Sequence, residues 1–102
     1  MQPYINQVNN FDATQDYVIE YTYLGSERVL TNEVSIREDI KNSVAVYTRQ
    51  STKFDKSHTV AGGSLINGKN YLIKLRVRLG TSEDEEGGWS DWSPELRFVC
   101  LA

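Results

Sequence analysis

The side chains able to do chemistry are few and unevenly placed. The chain holds one histidine, His58, one cysteine, Cys100, four consecutive acids at Glu83, Asp84, Glu85 and Glu86, and the run Trp89-Ser90-Asp91-Trp92-Ser93. Acid–base or nucleophilic catalysis needs a reactive group beside a partner that activates it. His58 precedes Thr59-Val60 and reads as an exposed histidine at a strand edge. Cys100 lies between Val99 and Leu101 and reads as a buried small hydrophobe rather than a nucleophile. A single thiol forms no internal disulfide and builds no cysteine-based metal site. Four acids in a row cannot all face one hard cation, and no glycine-and-acid spacing makes a cage around them. They read as a solvated loop tip and, in a sandwich domain, as a candidate binding loop for a partner. The chain contains no serine elbow, phosphate loop, His-Glu-x-x-His or EF-hand spacing. The expectation is therefore a non-enzyme with no catalytic residue, no cofactor and no metal.

The elements around these residues read as short strands. Tyr4 to Val8 is a first strand, followed by turn residues at Asn9-Asn10 and Asp12 to Asp16. Tyr17 to Leu24 alternates, with Tyr17, Ile19, Tyr21 and Tyr23 on one face. Val29 to Arg37, Val44 to Gln50 and Thr59-Val60 follow, and Asn67-Gly68 signals a tight turn. Tyr71 to Leu79 is the strongest strand. Tyr71, Ile73, Leu75, Val77 and Leu79 point one way; Leu72, Lys74, Arg76 and Arg78 point the other. Gly80 to Gly88 reads as an exposed loop, and Glu95 to Leu101 as the closing strand. A competing helical stripe of Ile36, Ile40 and Val44 is the weaker reading, because Asn42-Ser43 and β-branched residues interrupt it. Strands without intervening helices exclude a parallel βαβ sheet and predict an antiparallel sandwich.

Bulk properties narrow the partners. The length of 102 residues fits one domain, and 39% apolar residues suffice for a core. A net charge of −3 argues against a nucleic-acid surface. No apolar run approaches the ~20 residues of a membrane span, so no membrane insertion is expected. The start, Met1-Gln2-Pro3-Tyr4, has no signal-peptide pattern. The lack of paired cysteines and of Asn-x-Ser/Thr acceptors argues against a disulfide-stapled animal ectodomain.

Two segments carry a resemblance. Leu65 to Arg78 resembles the E–F turn and F strand of fibronectin type III domains, with a leucine six residues before a tyrosine and an alternating strand after it. The resemblance makes Tyr71 the tyrosine corner, its hydroxyl bonded to backbone upstream. Gly88 to Pro94 resembles the Trp-Ser-x-Trp-Ser box of cytokine-receptor fibronectin domains. In that family the tryptophans stack between cations of the F strand, here Lys74, Arg76 and Arg78, which implies a ladder of these with Trp89, Ser90, Trp92 and Ser93. Ile19 and Tyr21 stand where animal fibronectin domains commonly carry a tryptophan. As a whole the chain is more similar to fibronectin-type domains of phage and prophage tail and baseplate proteins, through Asn32-Glu33-Val34-Ser35-Ile36, Leu65 to Tyr71 and the Trp box.

The expected fold is an all-β, fibronectin type III or immunoglobulin-like β-sandwich of about seven antiparallel strands, one domain over residues 1–102 within a larger protein. The resemblance implies a structural or interaction module of a virion, serving as spacer, assembly or host-surface adhesion domain. Its partners would be other virion subunits or domains, or a cell-surface glycan. Its place would be the virion or the cell surface. An accessory or glycan-binding domain of a secreted bacterial carbohydrate-active enzyme is the alternative, and a cytokine-binding receptor fragment a third.

Overall fold

The computed structural model describes residues 3–25, 28–51, 57–82 and 85–100. Among them the chain is all-β: eight strands and no helix. The strands are β1 (Tyr4–Ile5), β2 (Tyr17–Thr22), β3 (Arg28–Glu38), β4 (Ala45–Ser51), β5 (Ser57–Val60), β6 (Asn70–Ser82), β7 (Glu85–Trp89) and β8 (Leu96–Val99). They form two antiparallel sheets packed face to face, in the immunoglobulin-like sandwich arrangement. One sheet has the order β1-β2-β5. The other has the order β4-β3-β6-β7, with β8 also pairing β6.

Period-two alternation places the core. Ile19, Tyr21 and Tyr23 face inward from the first sheet; Val34, Ile36, Ile73, Leu75, Val77 and Phe98 face inward from the second. Val18 and Glu20 face out. One end of the core is a row of rings. Phe11 stacks on Tyr17 at 4.2 Å and on Phe98 at 5.3 Å, and Phe98 stacks on Tyr71 at 5.7 Å. Offset ring pairs of this kind add to the burial of their area. Cys100 is fully buried and free. Burial pushes its thiol above the ordinary range, with Asp12 adding to the shift.

Two turns depend on glycine. Gly68 adopts φ +88° and its N–H donates to the Cys100 carbonyl at 3.0 Å. A Cβ at Gly62 would lie 2.4 Å from the Thr14 carbonyl oxygen, so the loop before β2 packs directly on that glycine. The same loop is tied to the β5–β6 connection by Asn67. Its Oδ1 accepts from the Ala13 N–H at 2.8 Å, and its Nδ2 donates to Asp12 Oδ1 at 3.0 Å.

Several expectations are corrected. The first strand is two residues, not Tyr4 to Val8, because it pairs only with Thr22 and Tyr21 of β2. Ile40 and Val44 are exposed, at 59% and 79%, in and just after the β3–β4 turn; they share no face with buried Ile36. The Gly80 to Gly88 stretch is not a loop throughout. β6 runs on to Ser82 and Glu85–Trp89 returns along it as β7, with bulges around Gly80, which makes eight strands instead of about seven.

Candidate functional site

β6 supplies the first candidate site. Its backbone has β3 along one side from Tyr71 to Gly80. On the other side β8 pairs residues 70–73, and β7 pairs Arg78, Gly80 and Ser82. Leu75 and Val77 lie in the gap between those two partners. The box fills it. Ser90 N–H donates to the Val77 carbonyl at 2.8 Å, and Val77 N–H donates to Ser90 Oγ at 3.0 Å. Ser93 N–H donates to the Leu75 carbonyl at 2.8 Å, and Leu75 N–H donates to Ser93 Oγ at 2.9 Å. Each serine thus stands in for one strand residue, with its hydroxyl oxygen replacing a carbonyl. Four backbone groups that would otherwise lack a strand partner are satisfied in this way.

Spacing explains why the box repeats by three and β6 by two. Three residues of the box advance as far as two residues of strand. The tryptophans therefore keep step with the outward cations of β6. Lys74 Nζ lies 4.6 Å from the Trp92 ring centroid. Arg76 Cζ lies 4.6 Å from Trp92 and 4.5 Å from Trp89, between the two indoles. Arg78 pairs with Trp89 across the β6–β7 register. Contacts of this geometry are worth about 0.5–2 kcal/mol each, more as they lose water. Glu33 on β3 fixes Arg76 from the side. Its Oε1 accepts from Arg76 Nε at 2.9 Å, and its Oε2 accepts from Gln50 Nε2 at 3.0 Å. A row of side chains therefore crosses the outer face from β4 through β3 and β6 to the box.

Tyr71 Oη accepts from the Ile66 N–H at 3.0 Å, so its hydroxyl bonds backbone upstream in the β5–β6 connection. Phenylalanine in place of Tyr71 is expected to cost about 1 kcal/mol, read as a fall of some 4–8 °C in Tm with the fold unchanged. Of the acidic stretch, Glu85 and Glu86 belong to β7, opposite Ser82 and Gly80. Glu83 and Asp84 lie outside the described residues.

His58 is where expectation and structure differ most. It does lie on an edge strand of its sheet, but its side chain points inward, opposite Ile19, and is only 2% exposed. Asn32, fully buried on β3, donates from Nδ2 to the Ser57 carbonyl at 3.2 Å, which turns its Oδ1 toward His58 Nδ1 at 2.9 Å. An amide oxygen only accepts, so Nδ1 carries the proton. In the neutral ring Nε2 then accepts from the Tyr47 hydroxyl, 2.9 Å away. Burial raises the Tyr47 phenol above its usual range, and Arg49 partly offsets this. These bonds join β3, β4 and β5 across the interface between the sheets. The sequence pattern Asn32-Glu33 signals the segment, but its division into an inward Asn32 and an outward Glu33 was not read from it.

Ion pairs secure the end of the box. Arg37 donates from Nε and Nη2 to the two Glu95 oxygens at 2.9 and 3.0 Å. This hydrogen bonding holds the Glu95 carboxyl below its ordinary 4.5. Hydrogen bonds from Asn67 and Thr14 hold Asp12 below 3.8. Both carboxyls bind protons more weakly folded than unfolded, so their stabilisation is present above the ordinary values and is lost as pH falls through the lowered ones. The urea midpoint is expected to fall on acidification below pH 4.5, the ordinary Glu95 value. E95Q should make that fall shallower than in the parent chain; an unchanged profile would show that the Arg37–Glu95 pair does not contribute.

Among the described residues no cluster of three metal-ligating side chains occurs. No protein-family pattern and no curated protein matches the chain.

Proposed function

We propose that this domain is a non-catalytic fibronectin type III-like module of a phage or prophage tail or baseplate protein, acting as spacer, assembly or host-surface adhesion domain. The observation that carries the reading is the closed pairing of the Trp box with β6. Ser90 is occupied by Val77 and Ser93 by Leu75, Trp89 by Arg76, and Trp92 by Lys74 and Arg76. Chemistry used in this way stiffens a sheet rather than turning over a substrate. The two-sheet order, with β1, β2 and β5 against β4, β3, β6, β7 and β8, is the sandwich arrangement that the resemblance implies. Immunogold labelling of induced particles with an antibody raised against the domain is expected to mark tails. Label confined to secreted enzyme fractions would overturn the virion assignment in favour of an accessory domain of a carbohydrate-active enzyme.

A further inference from the structure

The other edge of the larger sheet, far from the Trp box, carries a second arrangement. Between β4 and β5 lies an open cavity of about 300 Å³, the lower end of the range for small-ligand sites. Tyr47, Arg49, Gln50 and Ser51 line it from β4; Thr59 and Ser64 line it from the other side, with His58 behind. Among the described residues no carboxylate lines the cavity, although the chain as a whole carries a net charge of −3. Among the described lining residues the charged group is the Arg49 guanidinium. Arg37, Arg76 and Arg97 are each ion-paired, to Glu95, Glu33 and Asp39. Arg49 makes no ion pair among the described residues; it sits 5.8 Å from the Tyr47 ring centroid.

The polar groups are also fixed in sense. Asn32 sets the His58 tautomer, and in the neutral ring His58 Nε2 accepts a hydrogen bond from the Tyr47 hydroxyl. The hydroxyl of Tyr47, a residue only 7% exposed, is therefore turned away as a donor and presents its oxygen as an acceptor. A ligand that suits this cavity needs a carboxylate for Arg49 and a neighbouring hydroxyl that donates to Tyr47 Oη. The polar side chains of Thr59 and Ser64 suit further hydroxyls. We propose that the β4–β5 cavity binds an acidic sugar, a uronic acid unit, through its carboxylate on Arg49 and a ring hydroxyl on Tyr47. Arg49 selects the acid because a planar guanidinium matches a carboxylate with two parallel hydrogen bonds.

Titration of the ¹⁵N-labelled chain with sodium glucuronate, followed by amide shifts, tests this. Saturable shifts confined to β4, β5 and Ser64 are expected, with a Kd on the order of 1 mM for a single sugar unit. Glucose, which lacks the carboxylate, and acetate, which lacks the hydroxyls, should each bind at least about tenfold more weakly. R49Q should raise the glucuronate Kd by at least about tenfold with an unchanged melting curve, since Arg49 is exposed. Y47F, checked for folding by the same melt, should weaken glucuronate without strengthening glucose. Glucose binding as tightly as glucuronate, an unaffected R49Q, or no shifts at all overturns the site. An N-acetylglutamate amide that binds more tightly than glucuronate would assign the cavity to acidic peptides and overturn the sugar. Shifts centred on Trp89 and Trp92 would overturn it too, and would also count against the closed Trp box.

Discussion

Alanine in place of Trp92 is expected to destabilise the domain by about 2–4 kcal/mol, near the lower part of the range for deleting a large aromatic because the ring is half-buried. The loss has two sources. The indole covers the outer face of β6, and it lies between Lys74 and Arg76 at 4.6 Å from each. S93A tests the backbone half of the same clasp. It deletes the acceptor of the Leu75 N–H in a buried position, which costs about 1–3 kcal/mol although only one oxygen is lost. Urea unfolding of both variants measures these values. Coupling is the sharper criterion. Arg76 and Trp89 are in contact, so R76A and W89A should be non-additive by at least about 0.5 kcal/mol in a double-mutant cycle. Strict additivity would mean the contact contributes nothing to stability.

The second large effect is expected at Asn32. N32A removes the acceptor of His58 Nδ1 and the donor to the Ser57 carbonyl, and leaves a small void between the sheets. Orphaned groups inside a low-dielectric interface cost more than one hydrogen bond, and the sum here is about 2–4 kcal/mol. His58 then loses the acceptor that holds the proton on Nδ1. Its ring protons should broaden or double in NMR spectra of N32A, whereas the parent chain shows one set. A variant that loses less than about 0.5 kcal/mol, within the usual spread of surface substitutions, would show that the Asn32–His58–Tyr47 bonds are dispensable.

These two predictions rest on parts of the molecule that were legible to different degrees. The outward row Lys74, Arg76, Arg78 and the box can be read along the chain, because alternation and motif are local; the stack between them is what the resemblance implies. The filling of the β6 gap by Ser90 and Ser93 cannot be read that way. It arises because β8 leaves β6 after Ile73 and β7 joins only at Arg78, which is a matter of long-range register. The acidic stretch shows the same limit. Its composition indicates solvent exposure, but pairing with the far end of β6 makes Glu85 and Glu86 strand residues.

His58 marks the boundary most clearly. Its place at the head of a short strand on a sheet edge follows from Thr59-Val60 and the glycines after them. Whether that edge is covered depends on the other sheet, and there Tyr47 of β4 and Asn32 of β3 close over the ring. Sequence alone determined the all-β class and the inward faces of β2 and β6, because alternation acts over a few residues. Only the tertiary structure decided that the histidine is buried, that an arginine without an ion pair among the described residues stands beside a polar cavity, and that two serines complete a strand. Each of these depends on which segments, distant in sequence, are packed or paired against one another.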